Sequence, residues 1–145
     1  MSSKTIFRNK MTFEELNQSM LFNQLAGHIG IQFTEVTDHS VSAKIKISEI
    51  HSRPGGIMSG GTTLALIETV ASVAGMMTID ASSYNVFGIE VSANHLGQVP
   101  VGETITAIAE PDHVGRTTQV WSVRIENSKS KLVCVGRITL LVVAR

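Results

Sequence analysis

Apolar and polar residues recur along this chain with two different periods, which separate one long helix from a set of strands. Residues 60–77 are rich in Leu, Ala, Ile and Met and contain no proline, so this segment predicts a helix. At a rise of 1.5 Å per residue the helix would be ~27 Å long, enough to cross a small domain. We expect it to be too short and too polar for a membrane span.

Strand-like segments occupy most of the remaining chain. Residues 41–47 alternate apolar and polar side chains, as a strand with one buried face does. Further strands are predicted at 31–36, 84–93, 103–110, 117–126 and 132–143. Before them, Thr12-Phe13-Glu14-Glu15 is a capping box that opens a helix through about residue 25. These elements predict a single α+β domain over residues 1–145, with an antiparallel sheet wrapped around the central helix.

The central helix has two unlike faces when it is turned by 100° per residue. Bulky side chains form one face, which we expect to meet the sheet: Leu66, Ile67, Val70, Val73, Ala74 and Met77. The other face is mostly small but includes a carboxylate and a hydroxyl: Gly61, Leu64, Ala65, Glu68, Ala71, Ser72 and Gly75. This face needs cover, and a second copy of the chain is the natural candidate. We therefore expect a homodimer or a homotetramer with sites at a subunit interface.

Charge and composition argue against several classes of function. Equal numbers of basic and acidic residues, 12 of each, give no basic patch for nucleic acid and no polybasic run for a membrane surface. The first ten residues lack the apolar core of a signal peptide. A single cysteine, Cys134, excludes an internal disulfide and is typical of a cytoplasmic protein. The five histidines lack metal-ligand spacing, so no metal site is expected.

The loop before the central helix and the carboxylate within the helix are the candidates for chemistry. Residues 54–56, Pro-Gly-Gly, break regular structure, and the Gly60-Gly61 pair lets a ligand approach the backbone. An ionised Glu68 on a mostly apolar helix needs an explanation, because buried carboxylates are usually paired. These residues leave two explanations open: a structural carboxylate that reaches water or pairs with Arg53 or a lysine, and a general base or nucleophile in a cleft.

Together these motifs resemble a known family. The pattern Arg53-Pro54-x-Gly56-x-x-x-Gly60-Gly61, followed by Glu68 and Ser72, resembles the hotdog-fold acyl-coenzyme A thioesterases. The branch is that of the 4-hydroxybenzoyl-, phenylacetyl- and 1,4-dihydroxy-2-naphthoyl-coenzyme A thioesterases. The likeness extends over nearly the whole chain, to residues 12–17, 88–95, 111–116 and 119–121. It implies a hotdog fold and hydrolysis of an acyl-coenzyme A with an aromatic or medium-length acyl group, without a cofactor.

The resemblance implies catalytic roles around the helix. Glu68 falls on the family's catalytic carboxylate, and Ser72 falls on its helical hydroxyl. Gly60 falls on the backbone N–H that polarises the thioester carbonyl, in agreement with the unpaired donors of a helix amino end. Arg53 stands where relatives often carry Gln, and it can donate a hydrogen bond but cannot accept one from water. Ser59 stands where many relatives carry His, and it lacks the proton transfer of an imidazole.

Ser59 and five further residues are expected to bind substrate. Gly61 allows close backbone approach, and His95, at a strand end, is either a surface histidine or a residue near the acyl end of the cleft. The turn that contains His113, Arg116 and Thr117 suits the phosphates of coenzyme A. An ordinary solvated turn is a close alternative.

Three functions are compatible with these residues. We favour a thioesterase in which Glu68 attacks the thioester or activates a water. A hotdog dehydratase or hydratase usually needs a His–Asp or His–Glu pair, and the central helix contains no histidine. A module that binds an acyl thioester without cleaving it is suggested by the departures at Arg53 and Ser59. His51 lies near the motif, but the resemblance gives it no role.

Overall fold

A long helix packed against an antiparallel sheet forms the body of the protein in a computed structural model, which describes residues 4–19 and 24–145. The helix, α3 (Gly60–Thr78), has 19 residues. The sheet contains β1 (Gln32–Val36), β2 (Val41–Lys46), β5 (Tyr84–His95), β6 (Thr104–Val114), β7 (Thr118–Asn127) and β8 (Leu132–Ala144). The strand order is β1-β2-β6-β7-β8-β5, and every described pair is antiparallel. The predicted α+β architecture is confirmed.

Two short helices precede this body, and a small hairpin leads into α3. The capping box is present, because Thr12 and Glu15 exchange backbone-to-side-chain hydrogen bonds of 2.8 and 3.2 Å. It opens α1 (Phe13–Ser19), and α2 (Leu25–His28) follows. Residues 20–23 of the helix predicted through residue 25 lie outside the described residues, and the predicted end of that helix was wrong, because Gln24 has an extended backbone and a separate helix begins at Leu25. The hairpin consists of β3 (Ser52–Arg53) and β4 (Ile57–Met58).

Part of the small-residue face of α3 is covered by this chain's own sheet, contrary to the expectation. Ala71 and Gly75 are buried. A Cβ added at Gly75 would collide with Leu140 and lie 2.9 Å from Oε1 of Gln119. Large side chains from the sheet therefore fill the space that these small residues leave. Glu68 and Ser72 on the same face stay half-buried.

Strand β6 continues through Pro111, whereas the sequence predicted a strand that ends at residue 110. The pairing with β7 shifts register between Pro111 and His113, and this bulge accommodates a residue that has no N–H for the ladder. His113 consequently lies in β6 rather than in the turn that follows it.

Strand β5 forms one edge of the sheet. All of its 12 residues except Ile89 pair with β8, and no other described strand pairs with its other side. Phe87 and Ile89 are 52% and 59% exposed on it. A long edge strand with exposed apolar residues is a template for pairing with another chain.

By length and mean hydropathy, α3 falls within the range of a membrane span, so the expectation that it is too short and too polar was wrong. Length and hydropathy alone are weak evidence for a membrane span, because the core helix of a globular domain has the same properties. Half of this apolar segment is buried inside the structure, and Leu66, Ile67 and Val70 are completely covered. The helix occupies the place of a core helix.

Candidate active site

The amino end of α3 presents a free hydrogen-bond donor. Ser59 is the N-cap, and its hydroxyl accepts a hydrogen bond from the Gly61 N–H at 3.4 Å. In the described chain, no group accepts a hydrogen bond from the Gly60 N–H. Unpaired N–H groups and the helix dipole favour negative charge at this position. The site can therefore bind a carbonyl oxygen that becomes an oxyanion.

His95, at the end of β5, lies directly over Gly60. A Cβ added at Gly60 would lie 3.0 Å from Cε1 of the imidazole, so a side chain at this position would crowd the ring. The Thr63 hydroxyl donates to the Gly60 carbonyl at 2.7 Å and lies 2.6 Å from Nε2 of His95. Because the hydroxyl has a single proton, Nε2 must be the donor to it. In the neutral ring, Nδ1 is then left as an acceptor at the amino end of the helix.

Glu68 lies at the middle of α3 with its carboxylate against Gly88 of β5. A Cβ added at Gly88 would lie 2.6 Å from Oε1 and 2.7 Å from Oε2 of Glu68. The Ser72 hydroxyl, one turn further along the helix, donates to Oε1 at 3.1 Å. Among the described side chains, no cation lies within ion-pair distance of this carboxylate. The structural explanation by pairing with Arg53 or a lysine is therefore not supported.

A bulge in β5 lies beside this carboxylate. The pairing of β5 with β8 shifts register between Gly88 and Glu90. Bulges are frequent next to active sites, where they redirect a strand or a side chain. Sequence reasoning gave Gly88 no role, although a glycine inside a predicted strand is a signal of a bulge or of close approach.

Gly60 and Glu68 of one chain are too far apart to act on the same thioester group. Eight residues of helix separate them, a rise of ~12 Å. The carboxylate also points towards Ser72, away from the amino end of the helix. Their contacts on β5, His95 and Gly88, are seven residues apart, or roughly 23 Å of extended strand. An oxyanion donor and an attacking group must each lie about 3 Å from the reacting atoms.

Arg53 is exposed in β3, and its partner strand β4 runs directly into Ser59. The guanidinium donates a long hydrogen bond of 3.4 Å to the Pro54 carbonyl. Arg53 itself forms no ion pair with an acidic side chain among the residues that the structure describes. Its charge is thus available near the amino end of α3.

The predicted phosphate-binding residues lie at the opposite end of α3. The imidazole ring of His113 lies beside Gly115. Arg116 lines a hollow together with Arg8 and with Thr78, at the carboxyl end of the helix. Thr117 is exposed beside Arg116. Within one chain the structure does not bring these residues together with Gly60.

An apolar cavity of about 320 Å³ lies one turn beyond Glu68 on α3, with Ser72 at its wall. It is lined mainly by side chains of the helix and the N-terminal segment: Met11, Leu16, Val73, Met76, Met77 and Val86. The space suits an apolar group of modest size next to the carboxylate.

Comparisons with known proteins show which family the sequence matches. A family model described as the thioesterase superfamily matches residues 55–134. An esterase of Pseudomonas aeruginosa is 34% identical over 139 residues, which cover 96% of this chain and 94% of the relative. The 1,4-dihydroxy-2-naphthoyl-CoA hydrolase of Escherichia coli is 31% identical over 134 residues, 92% of this chain and 96% of the relative.

Solved structures agree with the fold. The crystal structure of a mutant thioesterase from Pseudomonas aeruginosa superposes with a TM-score of 0.93 at 34% identity. The match covers 97% of this chain and all of the other. The hotdog fold that the sequence motifs implied is confirmed.

Proposed function

The chain belongs to the thioesterase superfamily, and from this premise we propose that it hydrolyses the thioester of an acyl-coenzyme A to a free acid and coenzyme A. Thioester hydrolysis is the activity of the family. The observation that carries the proposal for this site is a half-buried Glu68 carboxylate that has a hydroxyl donor but no described cation partner. The choice of coenzyme A ester is supported by the named substrate of the Escherichia coli relative.

In the proposed reaction, the thioester carbonyl oxygen accepts a hydrogen bond from the Gly60 N–H. Glu68 either attacks the carbonyl carbon or removes a proton from a water that attacks it. Negative charge develops on the carbonyl oxygen beside the helix amino end, which stabilises it. The C–S bond then breaks, and the thiolate of coenzyme A takes up a proton. In the direct route, water later cleaves the anhydride formed with Glu68.

The two groups come from two chains in this proposal. Because the helix rises ~12 Å between Gly60 and Glu68, and the Glu68 carboxylate bonds to Ser72 one turn further on, one chain alone does not complete the site. The open β5 edge, with exposed Phe87 and Ile89, offers a surface for a second copy, and Gly88 with the Glu68 carboxylate lies on that strand. Pairing of two β5 edges would bring a Glu68 from one chain towards the helix start of the other. A homotetramer would be built from two such pairs.

The acyl group would occupy the apolar cavity beyond Ser72, which supports an aromatic or medium-length acyl chain. Arg53 would add positive charge near the thioester, and Ser59, Gly61 and His95 would line the entry to it. We keep His113, Arg116 and Thr117 as proposed contacts to the phosphates of coenzyme A: Arg8 beside Arg116 adds a second cation to that hollow. The cytoplasmic location stays a prediction.

A thiol-release assay over a panel of coenzyme A esters tests the reaction, with Glu68→Gln as the matched variant. We expect wild-type protein to release coenzyme A from aromatic or medium-chain esters. In Glu68→Gln, the rate of thiol release should fall by at least ~100-fold, because the variant loses the proton-accepting carboxylate. Its thermal stability should be kept, because glutamine retains the shape of the side chain. Substrate binding without thiol release would indicate the non-hydrolytic module, and reversible hydration of an enoyl ester would indicate the hydratase. A destabilised but fully active variant would refute the catalytic role of Glu68.

Subunit complementation tests the shared site. Glu68→Gln and Gly60→Val are each expected to be inactive alone. In a mixed dimer, one site combines both substitutions and the other combines two unaltered groups, so co-expression should restore activity. If both groups acted within one chain, every site would carry a substitution and the mixture would stay inactive. Sedimentation that shows an active monomer would also contradict the shared site.

A further inference from the structure

The His51 ring is buried and is held by two backbone groups. His51 is 5% exposed and ends the 3-10 turn Glu49–His51, which precedes the β3–β4 hairpin. Nδ1 accepts a hydrogen bond from the Ser48 N–H at 2.9 Å, so Nδ1 carries no proton. Nε2 lies 2.7 Å from the carbonyl oxygen of Ile29, which can only accept, so Nε2 donates. These two bonds define a single neutral tautomer and fix the ring in place.

The backbone of the same residue holds the start of α3. The His51 carbonyl accepts a hydrogen bond from the Ser59 N–H at 2.8 Å and another from the Thr62 hydroxyl at 3.0 Å. Ser59 directly precedes Gly60 in the chain, and Thr62 follows it by two residues. One carbonyl therefore holds the backbone of Ser59 and the side chain of Thr62, on either side of the Gly60 N–H.

The ring and the carbonyl together link three parts of the chain. The ring joins the end of α2, through Ile29, to the turn after β2, through Ser48. The carbonyl joins that turn to the amino end of α3. A histidine that only completed the turn would need the Ser48 bond alone. The bond to Ile29 and the two bonds at the start of α3 are not needed to complete the turn, and they connect the turn to both helices.

We propose that His51 is a positioning residue that holds the Gly60 N–H in the direction required to bind the oxyanion. The role rests on the proposed thioesterase function, because it acts through the Gly60 donor. His51 itself does not touch the reacting atoms. A hydrogen bond that strengthens in the transition state affects kcat more than KM, so a small rotation of this donor should appear in kcat.

Three substitutions at this position separate the two ring bonds. His51→Leu removes both bonds at similar volume, His51→Asn keeps an acceptor near the Ser48 N–H, and His51→Gln keeps a donor that can reach the Ile29 carbonyl. We expect His51→Leu to lower kcat by about 10-fold or more, less than the 10²–10³-fold loss typical of removing an oxyanion donor altogether. KM should stay within about twofold, and the two amide variants should recover part of the lost kcat.

Ser52→Ala is the matched control, because the Ser52 hydroxyl donates to the Glu49 carbonyl within the same turn and has no described hydrogen bond to α3. Rates are expressed per folded molecule, with the folded fraction taken from near-ultraviolet circular dichroism at the assay temperature. Wild-type kcat in Ser52→Ala, with reduced kcat in the His51 variants, supports the role. Wild-type kcat in His51→Leu, or in both amide variants if His51→Leu does not fold, overturns it. A wild-type protein that releases no thiol overturns the proposed function and this role together. If the wild type is active and Glu68→Gln is inactive, the proposed function stands, and wild-type kcat in the His51 variants then overturns the role of His51 alone.

Discussion

Replacement of Gly88 by alanine should displace the Glu68 carboxylate without disturbing the fold. The added Cβ would lie 2.6 Å from Oε1 and 2.7 Å from Oε2, whereas ordinary van der Waals contact begins near 3.4 Å. The carboxylate must therefore move by about 0.8 Å or rotate away. It is the free end of a flexible side chain, so the movement costs little stability. Alanine is also compatible with the extended backbone of β5.

The catalytic effect of that displacement is large, because misplacement of a reacting group by about 1 Å can reduce a rate by 10²-fold. We expect Gly88→Ala to lower kcat by roughly 30- to 100-fold and to shift the melting temperature by no more than a few degrees. Thiol release from coenzyme A esters gives kcat, and thermal unfolding of the same preparation gives the stability.

Two other glycines provide controls for Gly88→Ala. A Cβ at Gly97 would meet Val133 at no less than 3.6 Å, so Gly97→Ala should change neither quantity. A Cβ at Gly75 would meet Leu140 and the buried Gln119, so Gly75→Ala should lower stability. Wild-type kcat in a folded Gly88→Ala protein would refute the reasoning, since the carboxylate could then move without loss of rate.

Three further outcomes are expected. Arg53→Gln should shift the preference from acyl groups that carry a carboxylate or an acidic hydroxyl towards neutral aromatic ones, and an unchanged profile across the ester panel would mean that Arg53 points away from the cleft. Ser72→Ala removes the 3.1 Å hydrogen bond to Glu68 and should lower kcat by about 10-fold, less than Glu68→Gln; equal kcat values for Ser72→Ala and wild type would show that the hydroxyl does not orient the carboxylate. The hydrogen bond from the Lys10 ammonium lowers the pKa of Asp38 below 3.8, so the pair stabilises the fold above the unfolded pKa and loses this effect as pH falls through the lower folded pKa. Thermal unfolding of Lys10→Met between about pH 5 and 2 should lack the loss of stability that comes from this pair. The same pH dependence of stability in Lys10→Met and wild type would contradict the contribution of the pair.

Periodicity predicted the elements of this fold because it depends only on which positions face the core. The boundaries of α3 and of the long strands agree with the predicted segments to within a few residues. Two of the exceptions depend on tertiary packing. Gly75 faces the sheet because Leu140 and Gln119 are large enough to fill the space beside it, and Pro111 remains in β6 because a bulge accommodates it. Neither the size of a partner nor a bulge can be inferred from the periodicity of one segment.

The candidate site was predictable in part for a similar reason. Helical spacing placed Ser72 one turn from Glu68, and the structure contains that hydrogen bond. The contact between Glu68 and Gly88 joins positions 20 residues apart on a helix and a strand, and helical periodicity carries no information on such a pair. The ring contacts of His51 reach back to Ile29 in the same way. Local spacing finds neighbours on one element, whereas contacts between elements require the topology.

The distance between Gly60 and the Glu68 carboxylate also has a consequence in time and concentration. In the proposed pairing, a chain that has left the ribosome but has not met a second copy holds a donor and a carboxylate that cannot reach the same bond. Hydrolysis then begins with association rather than with folding. At protein concentrations well below the dissociation constant of the pair, the rate of thiol release should rise with the square of the protein concentration, and above it in direct proportion. Dilution alone would therefore switch the activity off reversibly, while each chain keeps its fold.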